Sequence, residues 1–517
     1  MPGAQIASNN VGSGVIEIFP RLFYAALRSH PSTSASRESS DNDVVYFTID
    51  NEFVYWNFFL DFGPFNLGQL YRFCTLMNSK LGGGKTPEDI LYSATHSVCF
   101  YSGTHPHCRA NAIFLICAWQ ILFLRITPEE SFEPFKNAII KGDIDPLPTF
   151  HDASPGVCTY SLTLMDVLRG LYKARAYNFF SSFTSDDPAE RFDVEEYEHF
   201  EMVEHGDLNW IIKDRFLAFA GPSANKVVTH DGYVTLAPKD YIPYFQRKNV
   251  GLVVRLNKRL YDERFFTVAG IGHSDHYYLD GSVPTMKILQ KVVSAMENCI
   301  LWGSHGKYRG RGVAVHCKAG LGRTGTCIGA YIMKHYKFSA AECIGWMRLC
   351  RPGMVIGPQQ QYLQKIEQRM WYEGDVMRQT VPRNMNRSDP PRQSRSPTGH
   401  KETKIKSHRD SHPDDSDTTT TYHSSSSSSG MEELSPLTSS ETSNKEFSRC
   451  LLPSRKNKIE GKYSSTSVGV TNSFCSMSID NALQDADMDT SLMDNFGTHG
   501  RPGQAESLLL ARHQHRH

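Results

Sequence analysis

The sequence predicts an α/β protein with two tandem units, each a central sheet flanked by helices, joined by a linker helix and followed by a disordered tail. Three observations support this fold class. Two segments, which begin at Ser97 and Gly312, share the order of an apolar run, a loop that ends in Arg, an apolar helix and a second amphipathic helix. The acidic stretch 192–207 lies between them. All six tryptophans precede the Ser- and Thr-rich remainder of the chain.

The unit boundaries follow from these changes in composition. In the first 44 residues, IEIFPRLFYAAL around Ile16 is compatible with a short helix, and the rest is expected to be mostly disordered. After Trp371 the chain cannot bury enough apolar surface to offset the entropy of folding. The predicted divisions are an N-terminal extension (1–44), a first unit (45–191), an acidic linker helix (192–210), a second unit (211–373) and a disordered tail (374–517). The likeness of the units indicates a degenerate duplication, although strand-loop-helix units are common enough to resemble each other by chance.

Composition excludes several classes of protein. The chain has 517 residues, and its 55 Lys and Arg balance 55 Asp and Glu, which does not favour a nucleic-acid binder. The apolar stretch from Ala112 is interrupted by Gln120 and is shorter than the roughly 20 residues of a membrane span, so we expect a buried helix there. The N-terminus lacks the pattern of a secretory signal. Twelve cysteines without a CxxC pair favour free thiols in a reducing compartment over disulfides or a zinc site.

The motif with chemical meaning is HCKAGLGRTG, residues 316–325, between the strand-like GVAV and the helical CIGAYIMKHY. Five residues separate Cys317 from Arg323, enough for the backbone to curl into a cradle of N–H groups that holds a tetrahedral phosphate. This phosphate-binding loop comprises Lys318, Ala319, Gly320, Leu321, Gly322 and Arg323. The two glycines permit the turns, and the helix that starts near Arg323 adds its positive end.

The same electrostatic field favours a thiolate, so Cys317 is the predicted nucleophile. The Arg323 guanidinium can bind two phosphate oxygens at once, which Lys cannot do. Thr324 can donate its hydroxyl to the departing sulfur, and His316 can hold the loop through a backbone hydrogen bond. A buried Cys beside a capping Arg is the structural alternative, but it does not require the glycines, the Thr and the flanking strand and helix together.

Thiolate attack also needs a proton for the departing oxygen. Asp280, in YYLDGSVP, lies where a loop can approach the phosphate, although an Asp-Gly pair is often only a turn. Three consecutive glutamines, Gln359, Gln360 and Gln361, follow a Gly-Pro turn, and one of their amides can orient the hydrolytic water. A solvated helix start is the alternative for these glutamines.

The first segment lacks a nucleophile at the corresponding position. Aligning Arg109 with Arg323 places Gly103 opposite Cys317, while Cys108 stands next to Arg109 and is badly placed for attack. We therefore expect the first unit to be noncatalytic and to supply binding surface.

The signature HCKAGLGRTG is similar to that of the cysteine-dependent protein phosphatases, and the likeness extends from Val45 to Trp371. In order along the chain, FTIDNEFVYWNFFLDFGPFNL, CRANAIFLI, FDVEEYEHFE, GDLNWI, FLAFAGP, VVRLNK, DGSVP, HCKAGLGRTGT and RPGMVIGPQQQ resemble the cell division cycle 14 family of mitotic-exit dual-specificity phosphatases. This resemblance implies two tandem dual-specificity-phosphatase-like domains, of which only the second is catalytic. The segment WGSHGKYRGRG before the catalytic strand departs from the family pattern.

By motif, the resemblance makes Cys317 the nucleophile, Arg323 the phosphate clamp, Asp280 the general acid and later base, and Gln359 the water-positioning amide, with its neighbours not excluded. It implies phosphoprotein substrates in which a phosphoserine precedes proline and a basic residue follows. The matching acidic groove residues are Glu198, Glu201 and Asp207, although a solvated helix face would have the same spacing. The resemblance implies a nuclear and cytoplasmic location, including the nucleolus, centrosome or spindle.

Two other functions compete with this interpretation. Lys318 after Cys317 also occurs in phosphoinositide phosphatases, which commonly add a second Lys in the loop, where this chain has Leu321. A noncatalytic phosphopeptide-binding scaffold is disfavoured because Cys317, Arg323 and Asp280 occur together. No cofactor, metal, nucleic acid or membrane span is expected, and the sequence does not indicate the oligomeric state.

Overall fold

The computed structural model describes residues 14–28, 44–57, 60–83, 89, 96–154, 158–228, 234–302 and 310–380. Within them the predicted α/β class is confirmed, with two sheets that are each flanked by helices. The predicted disorder of the tail concerns residues that, from 381 onward, lie outside the described part of the chain. Most of the insertion before the catalytic strand also lies outside it.

The first sheet contains β1 (Ile16–Phe19), β2 (Leu22–Leu27), β3 (Val44–Phe47) and β4 (Ser97–Gly103) in the order β1-β2-β4-β3. The short helix expected around Ile16 is wrong, because this segment forms the β1–β2 hairpin. Arg21 turns the chain at φ +76°. β2 pairs with β4 and is buried almost throughout, so its continuous apolar run lacks the alternation that marks a half-exposed strand. The first unit therefore starts well before the predicted boundary at residue 45.

Helices cover the first sheet. They are α1 (Leu67–Lys80), α2 (Pro106–Trp119), which continues as a π-helical turn over Gln120–Leu124, α3 (Pro128–Lys141) and α4 (Leu164–Ala176). The segment Pro106–Leu124 is long and apolar enough to cross a membrane, but 83% of its most apolar window is buried inside the protein. The prediction of a buried helix there is thus confirmed.

The linker is shorter than expected. α5 covers only Val194–Glu201, and a 3₁₀ turn at Val203–His205 follows. The next residues already form β5 (Leu208–Ile212), the edge strand of the second sheet. Asp193 caps α5 by accepting a hydrogen bond from the backbone N–H of Glu196.

The second sheet contains β5, β6 (Phe216–Phe219), β9 (Val250–Arg255), β10 (Gly272–Asp275) and β11 (Gly312–His316) in the order β10-β9-β11-β6-β5. All neighbours are parallel except β5 and β6. β7 (Val227–Val228) and β8 (Val234–Thr235) form a small hairpin. The helices are α6 (Pro238–Arg247), α7 (Arg264–Val268), α8 (Met286–Glu297) with a π-helical turn at Asn298–Trp302, α9 (Gly322–Tyr336), α10 (Ala340–Cys350) and α11 (Pro358–Thr380).

The predicted boundary at residue 373 falls inside α11. The last turns of this helix are held on α9, since Arg378 donates to the carbonyls of Lys334 and His335. Asp375 also pairs with Lys337 at 2.8 Å. The sequence analysis ends the second unit too early because the last turns of α11 are polar. Charged side chains hold these turns, so no apolar pattern marks them.

The two units pack through α4 and α10. A Cβ atom at Gly170 would lie 2.4 Å from the Glu342 carbonyl oxygen, and one at Gly345 would lie 2.9 Å from the Cα of Val167. Glycine at both positions lets the helices approach closely. In each sheet the strand before the Arg-containing loop is central, β4 between β2 and β3 and β11 between β9 and β6.

Candidate active site

The loop after β11 curls against the end of β6. Gly320 has φ +69°, and a Cβ atom there would lie 2.1 Å from the Phe219 carbonyl oxygen, so only glycine fits. The backbone N–H of Gly221 donates to the Lys318 carbonyl at 2.9 Å. A Cβ at Gly221 would lie 2.3 Å from the Cys317 carbonyl oxygen, so this loop needs a second close approach that the sequence analysis missed. Cys317 lies at the base of the loop and is 3% exposed.

Arg323 is buried at the start of α9 and is held over the loop. Its Nη1 donates to the Tyr278 carbonyl at 2.9 Å, while the Tyr278 hydroxyl donates to the Arg323 carbonyl at 3.1 Å. These two bonds connect the loop after β10 to the first turn of α9. The guanidinium is therefore oriented before any phosphate binds.

Asp280 and Arg323 lie together although 43 positions separate them in the chain. Asp280 Oδ1 is 3.1 Å from Nη2 of Arg323, and it also accepts from the backbone N–H of Gly281 at 3.1 Å. About a third of the Asp280 side chain is exposed. The structure thus brings the predicted acid to the predicted phosphate clamp.

His316 holds the loop as predicted. Its Nδ1 donates to the Cys317 carbonyl at 2.9 Å, and its Nε2 lies 2.7 Å from the Tyr261 hydroxyl. Because Nδ1 carries the proton, Nε2 must accept from Tyr261. Burial lowers the pKa of His316 to about 3, so the ring is neutral at physiological pH.

The remaining loop residues serve different purposes. Thr324 is buried, and its hydroxyl has no hydrogen-bond partner among the described residues, so the predicted bond to sulfur is not formed in this geometry. Leu321 is fully buried and faces the core. Gly322 serves close packing, since a Cβ there would lie 2.6 Å from Oε1 of Gln359.

The three glutamines differ in their contacts. Gln359 is 1% exposed, packs against Gly322 of the loop and donates to the Ser282 carbonyl beside Asp280 at 3.1 Å. Gln360 instead accepts from the Arg348 guanidinium at 2.7 Å, and Gln361 donates to Thr159 at 2.9 Å. Of the three, Gln359 alone touches both the phosphate-binding loop and the Asp280 loop.

Arg351 is a supporting residue that the sequence analysis missed. It is fully buried, and it donates to the carbonyls of Ala319 and Gly320 at 2.8 and 3.0 Å. Turning these carbonyls toward Arg351 leaves the loop N–H groups for the phosphate. The available signal was the Arg-Pro-Gly that directly follows α10.

Asp207 is the counter-ion of Arg351. Its Oδ1 lies 2.9 Å from Nη1 of Arg351, and Asp207 is 1% exposed. In this geometry the Asp207 carboxylate is bound by Arg351, and its place in a substrate groove stays a prediction. Asp207 stabilises the phosphate-binding loop through Arg351.

Comparison with known proteins agrees with this geometry. Residues 16–174 match the family described as dual specificity protein phosphatase, N-terminal half, and residues 246–369 match the dual specificity phosphatase catalytic domain. The chain is 42% identical over 366 residues to dual specificity protein phosphatase CDC14C of Homo sapiens, which covers 71% of this chain and 74% of that protein. The chain belongs to the CDC14 family.

Other CDC14 relatives are similarly close. Identity to CDC14B of Mus musculus is 42% and covers 71% of this chain and 68% of that protein. Identity to CDC14A of Homo sapiens is 43% and covers 69% of this chain. The chain spans about half the length of the CDC14A proteins it matches, 54% in the human case.

The other two predicted groove residues of this CDC14 chain lie on α5, which faces α1 of the first unit. Glu201 is 5% exposed and accepts from the Asn66 amide, so in this geometry its carboxylate is held against the first unit. Glu198 keeps 38% of its side chain exposed, but it pairs with Arg72 at 2.6 Å. Only Glu198 of the three predicted residues remains accessible.

Carboxylates of the first unit itself contact the loop before Arg109 and the Arg109 guanidinium. The Asp50 carboxylate accepts from the backbone N–H of Gly103, and Arg109 pairs with Asp145 at 3.3 Å. Burial raises the pKa of the Cys108 thiol beside Arg109, so it stays protonated at neutral pH. Gly103 ends the strand at the base of this loop, and the noncatalytic role of the first unit stays a prediction.

No group of three or more His, Cys, Asp or Glu side chains among the described residues could hold a metal ion. The ten cysteines that the structure describes are free thiols. Burial raises the pKa of Cys99 and of Cys327 to about 12, so these thiols are poor nucleophiles at neutral pH.

Proposed function

We propose that this chain is a cysteine-dependent protein phosphatase that hydrolyses phosphoserine and phosphothreonine, and phosphotyrosine in vitro, through a phosphocysteine. The observation that carries the proposal is the contact between Asp280 and Arg323 at 3.1 Å beside the loop of Cys317. A nucleophile, a bidentate clamp and an acid at one cradle are the set that hydrolysis of a phosphate monoester through a phosphocysteine requires.

In the first step the Cys317 thiolate attacks phosphorus, the bond from phosphorus to the leaving oxygen breaks, and Asp280, in its carboxylic acid form in the substrate complex, gives its proton to that oxygen. Bound phosphate replaces Asp280 as the partner of the Arg323 guanidinium, which frees the carboxyl group to face the leaving group. The guanidinium and the loop N–H groups stabilise the negative charge on the phosphoryl oxygens.

In the second step water attacks the phosphocysteine. Gln359 orients the water, since its amide lies between the loop and the Ser282 carbonyl beside Asp280. Asp280 removes a proton from that water, and the sulfur leaves as a thiolate. Inorganic phosphate and the original thiolate result.

The proposed substrates are sites in which phosphoserine precedes proline and a basic residue follows, as in cyclin-dependent-kinase sites. Membership of the CDC14 family supports a role in cell-cycle control. We assign the binding of this basic substrate residue to Glu198. An exposed pair such as Glu198–Arg72 contributes little stability, so a substrate cation can replace Arg72. The family relationship also supports a nuclear and cytoplasmic location.

A peptide panel tests this proposal with the full chain in EDTA. We expect phosphoserine-proline peptides with a downstream Lys to have the highest kcat/KM, and a short-chain phosphoinositide the lowest. Glu198→Gln should lower kcat/KM for the Lys peptide by about twofold to fivefold and leave para-nitrophenyl phosphate unchanged. Glu196→Gln on the same helix, which breaks the pair with Lys248, is the control. A requirement for added metal, or a preference for the lipid, would contradict the proposal.

A further inference from the structure

The helix start that carries Gln359 is held from two sides. On the catalytic side, the buried Arg348 of α10 donates to the carbonyls of Met354 and Val355 at 3.1 and 3.0 Å. On the other side, Asp152 of the first unit accepts from the backbone N–H of Gly357 at 2.6 Å. A side chain of the noncatalytic unit therefore binds the backbone two residues before Gln359.

The backbone of this segment needs such support. Val355 has φ +63° and Gly357 has φ +57°. A β-branched residue rarely adopts the left-handed region and persists there only where its surroundings hold it. Val355 also packs on the first turn of α9, since a Cβ at Gly325 would lie 2.8 Å from a Val355 methyl group.

Asp152 is well placed to provide that support. It is 5% exposed, and Ser154 and Cys158 also donate to its carboxylate. Burial alone would raise the pKa of Asp152, but the hydrogen bonds and the nearby Arg348 outweigh it and lower the pKa. The carboxylate is thus charged, and it faces the buried Arg348 guanidinium across the segment.

We infer that Asp152 is a positioning residue for the second chemical step, because it fixes through Gly357 the backbone that aims the Gln359 amide at the hydrolytic water. The noncatalytic unit then contributes to turnover as well as to binding surface. The inference rests on the proposed phosphocysteine mechanism. It concerns only the hydrolysis of the phosphocysteine, since Asp152 touches neither Cys317, Arg323 nor Asp280 in the described contacts.

The kinetic consequence is specific. With para-nitrophenyl phosphate, kcat/KM reports the steps up to phosphocysteine formation, whereas kcat includes its hydrolysis. Asp152→Ala in the full chain should lower kcat by about tenfold to a hundredfold, because small misplacement of a positioning group has effects of that size. KM should fall in parallel, so that kcat/KM stays within about twofold of the parent. Nitrophenol should appear in a burst, and phosphoenzyme should accumulate in acid-quenched samples.

Two comparisons separate positioning from general destabilisation. Asp152→Asn should recover much of kcat, because an amide oxygen can still accept from Gly357. Lys173→Met breaks the ion pair with Glu342 elsewhere on the same interface between the units, and it should leave kcat and phosphoenzyme levels unchanged.

Several results would overturn the inference. One is a fall in kcat/KM that matches the fall in kcat, without phosphoenzyme accumulation, and another is the same kinetic pattern in Lys173→Met. If Asp152→Ala does not fold, Ser154→Ala tests the same carboxylate: about a twofold to threefold loss of kcat at constant kcat/KM supports the inference, and parental kinetics overturn it. Absence of phosphoenzyme in the parent itself, even in a rapid quench, would instead count against the proposed function.

Discussion

The segments 102–109 and 316–323 each run from the end of an equivalent central strand into a helix, yet only the second contains a glycine-lined loop between them. Aligned on their arginines, Pro106 stands where Gly320 stands. Gly320 needs φ +69°, whereas the proline ring fixes φ near about −65°. The first chain segment therefore enters α2 directly, and its loop cannot curl in the same way.

The two loops make similar polar contacts at the end of the strand, but their arginines have different partners. His316 joins the loop to the Tyr261 hydroxyl, and Ser102 at the matching position joins the Tyr24 hydroxyl, both at 2.7 Å. Arg323 faces Asp280 and the open side of its loop, whereas Arg109 faces Asp145. The same strand-loop-helix frame therefore holds two loops with different polar partners. In the proposed mechanism, the second unit differs from the first by the glycine, the thiol and the acid from another loop that its cradle requires.

The largest expected effect comes from the nucleophile. Cys317→Ser should abolish turnover of phosphopeptides while it retains phosphopeptide binding, because a serine hydroxyl is a poor nucleophile but fits the cradle. Cys108→Ser should keep full activity, since burial raises the pKa of the Cys108 thiol and keeps it protonated. Adding Gly103→Cys to Cys317→Ser should not restore turnover, because Pro106 prevents the cradle. Measurable turnover by that double variant would contradict the comparison.

The acid has the next largest effect. Asp280→Asn should slow hydrolysis of phosphoserine peptides by about 100- to 10,000-fold, the usual range for general acid catalysis. Aryl phosphates should lose less, since their leaving groups need little protonation. Asp50→Asn, the carboxylate of the first loop, is the matched control and should leave kcat unchanged. Equal losses with both substrate types and normal phosphocysteine formation would mean that another group is the acid.

Replacement of Arg323, the phosphate clamp, should lower kcat by about 100-fold or more. Arg323→Lys replaces a planar fork by a point charge, so both phosphate binding and kcat should fall. Arg109→Lys keeps a cation opposite the exposed Asp145 and should leave the kinetics near those of the parent. Steady-state assays of the two variants compare the loops directly. Near-parental kinetics for Arg323→Lys would place the clamp elsewhere.

The smallest effect concerns stability in acid. The pKa of His316 is about 3 in the folded chain, below the ordinary value of 6.5, so its contribution to the free energy of unfolding is present above pH 6.5 and is lost as pH falls toward 3. When the pH falls from 7 to 5, protonation linked to this one residue should lower the free energy of unfolding by about 2 kcal/mol. His316→Asn keeps a donor for the Cys317 carbonyl and should show a correspondingly smaller acid loss in denaturant titrations. Equal pH dependence of parent and variant would refute the assignment of a neutral, buried ring.

The sequence alone was sufficient for those parts of the site that adjacent residues encode. The HCKAGLGRTG loop, its flanking strand and helix and the role of His316 follow from local spacing. Asp280 and Gln359 needed the family resemblance, because separate loops bring them to the cradle. The structure was necessary to distinguish Gln359 from its neighbours.

Other features of the fold and the site do not follow from the sequence, because burial removes the patterns that reveal them. Asp207 belongs to an acidic stretch that suggests a surface, but Arg351 draws it beneath the loop. The β1–β2 hairpin was mistaken for a helix because a strand with both faces buried has no alternating pattern. Asp152 lies far from any motif, and only the packing of the two units brings it to Gly357.

The covalent intermediate tests the central claim most directly. The full chain should be mixed with a ³²P-labelled phosphopeptide, quenched in acid within milliseconds and digested, and the labelled peptide identified by mass spectrometry. We predict label on one peptide, with phosphate on Cys317, and none on the loop of the first unit or in Cys317→Ser. Turnover without label on Cys317, or label on Cys108 or another first-unit residue, would contradict the account.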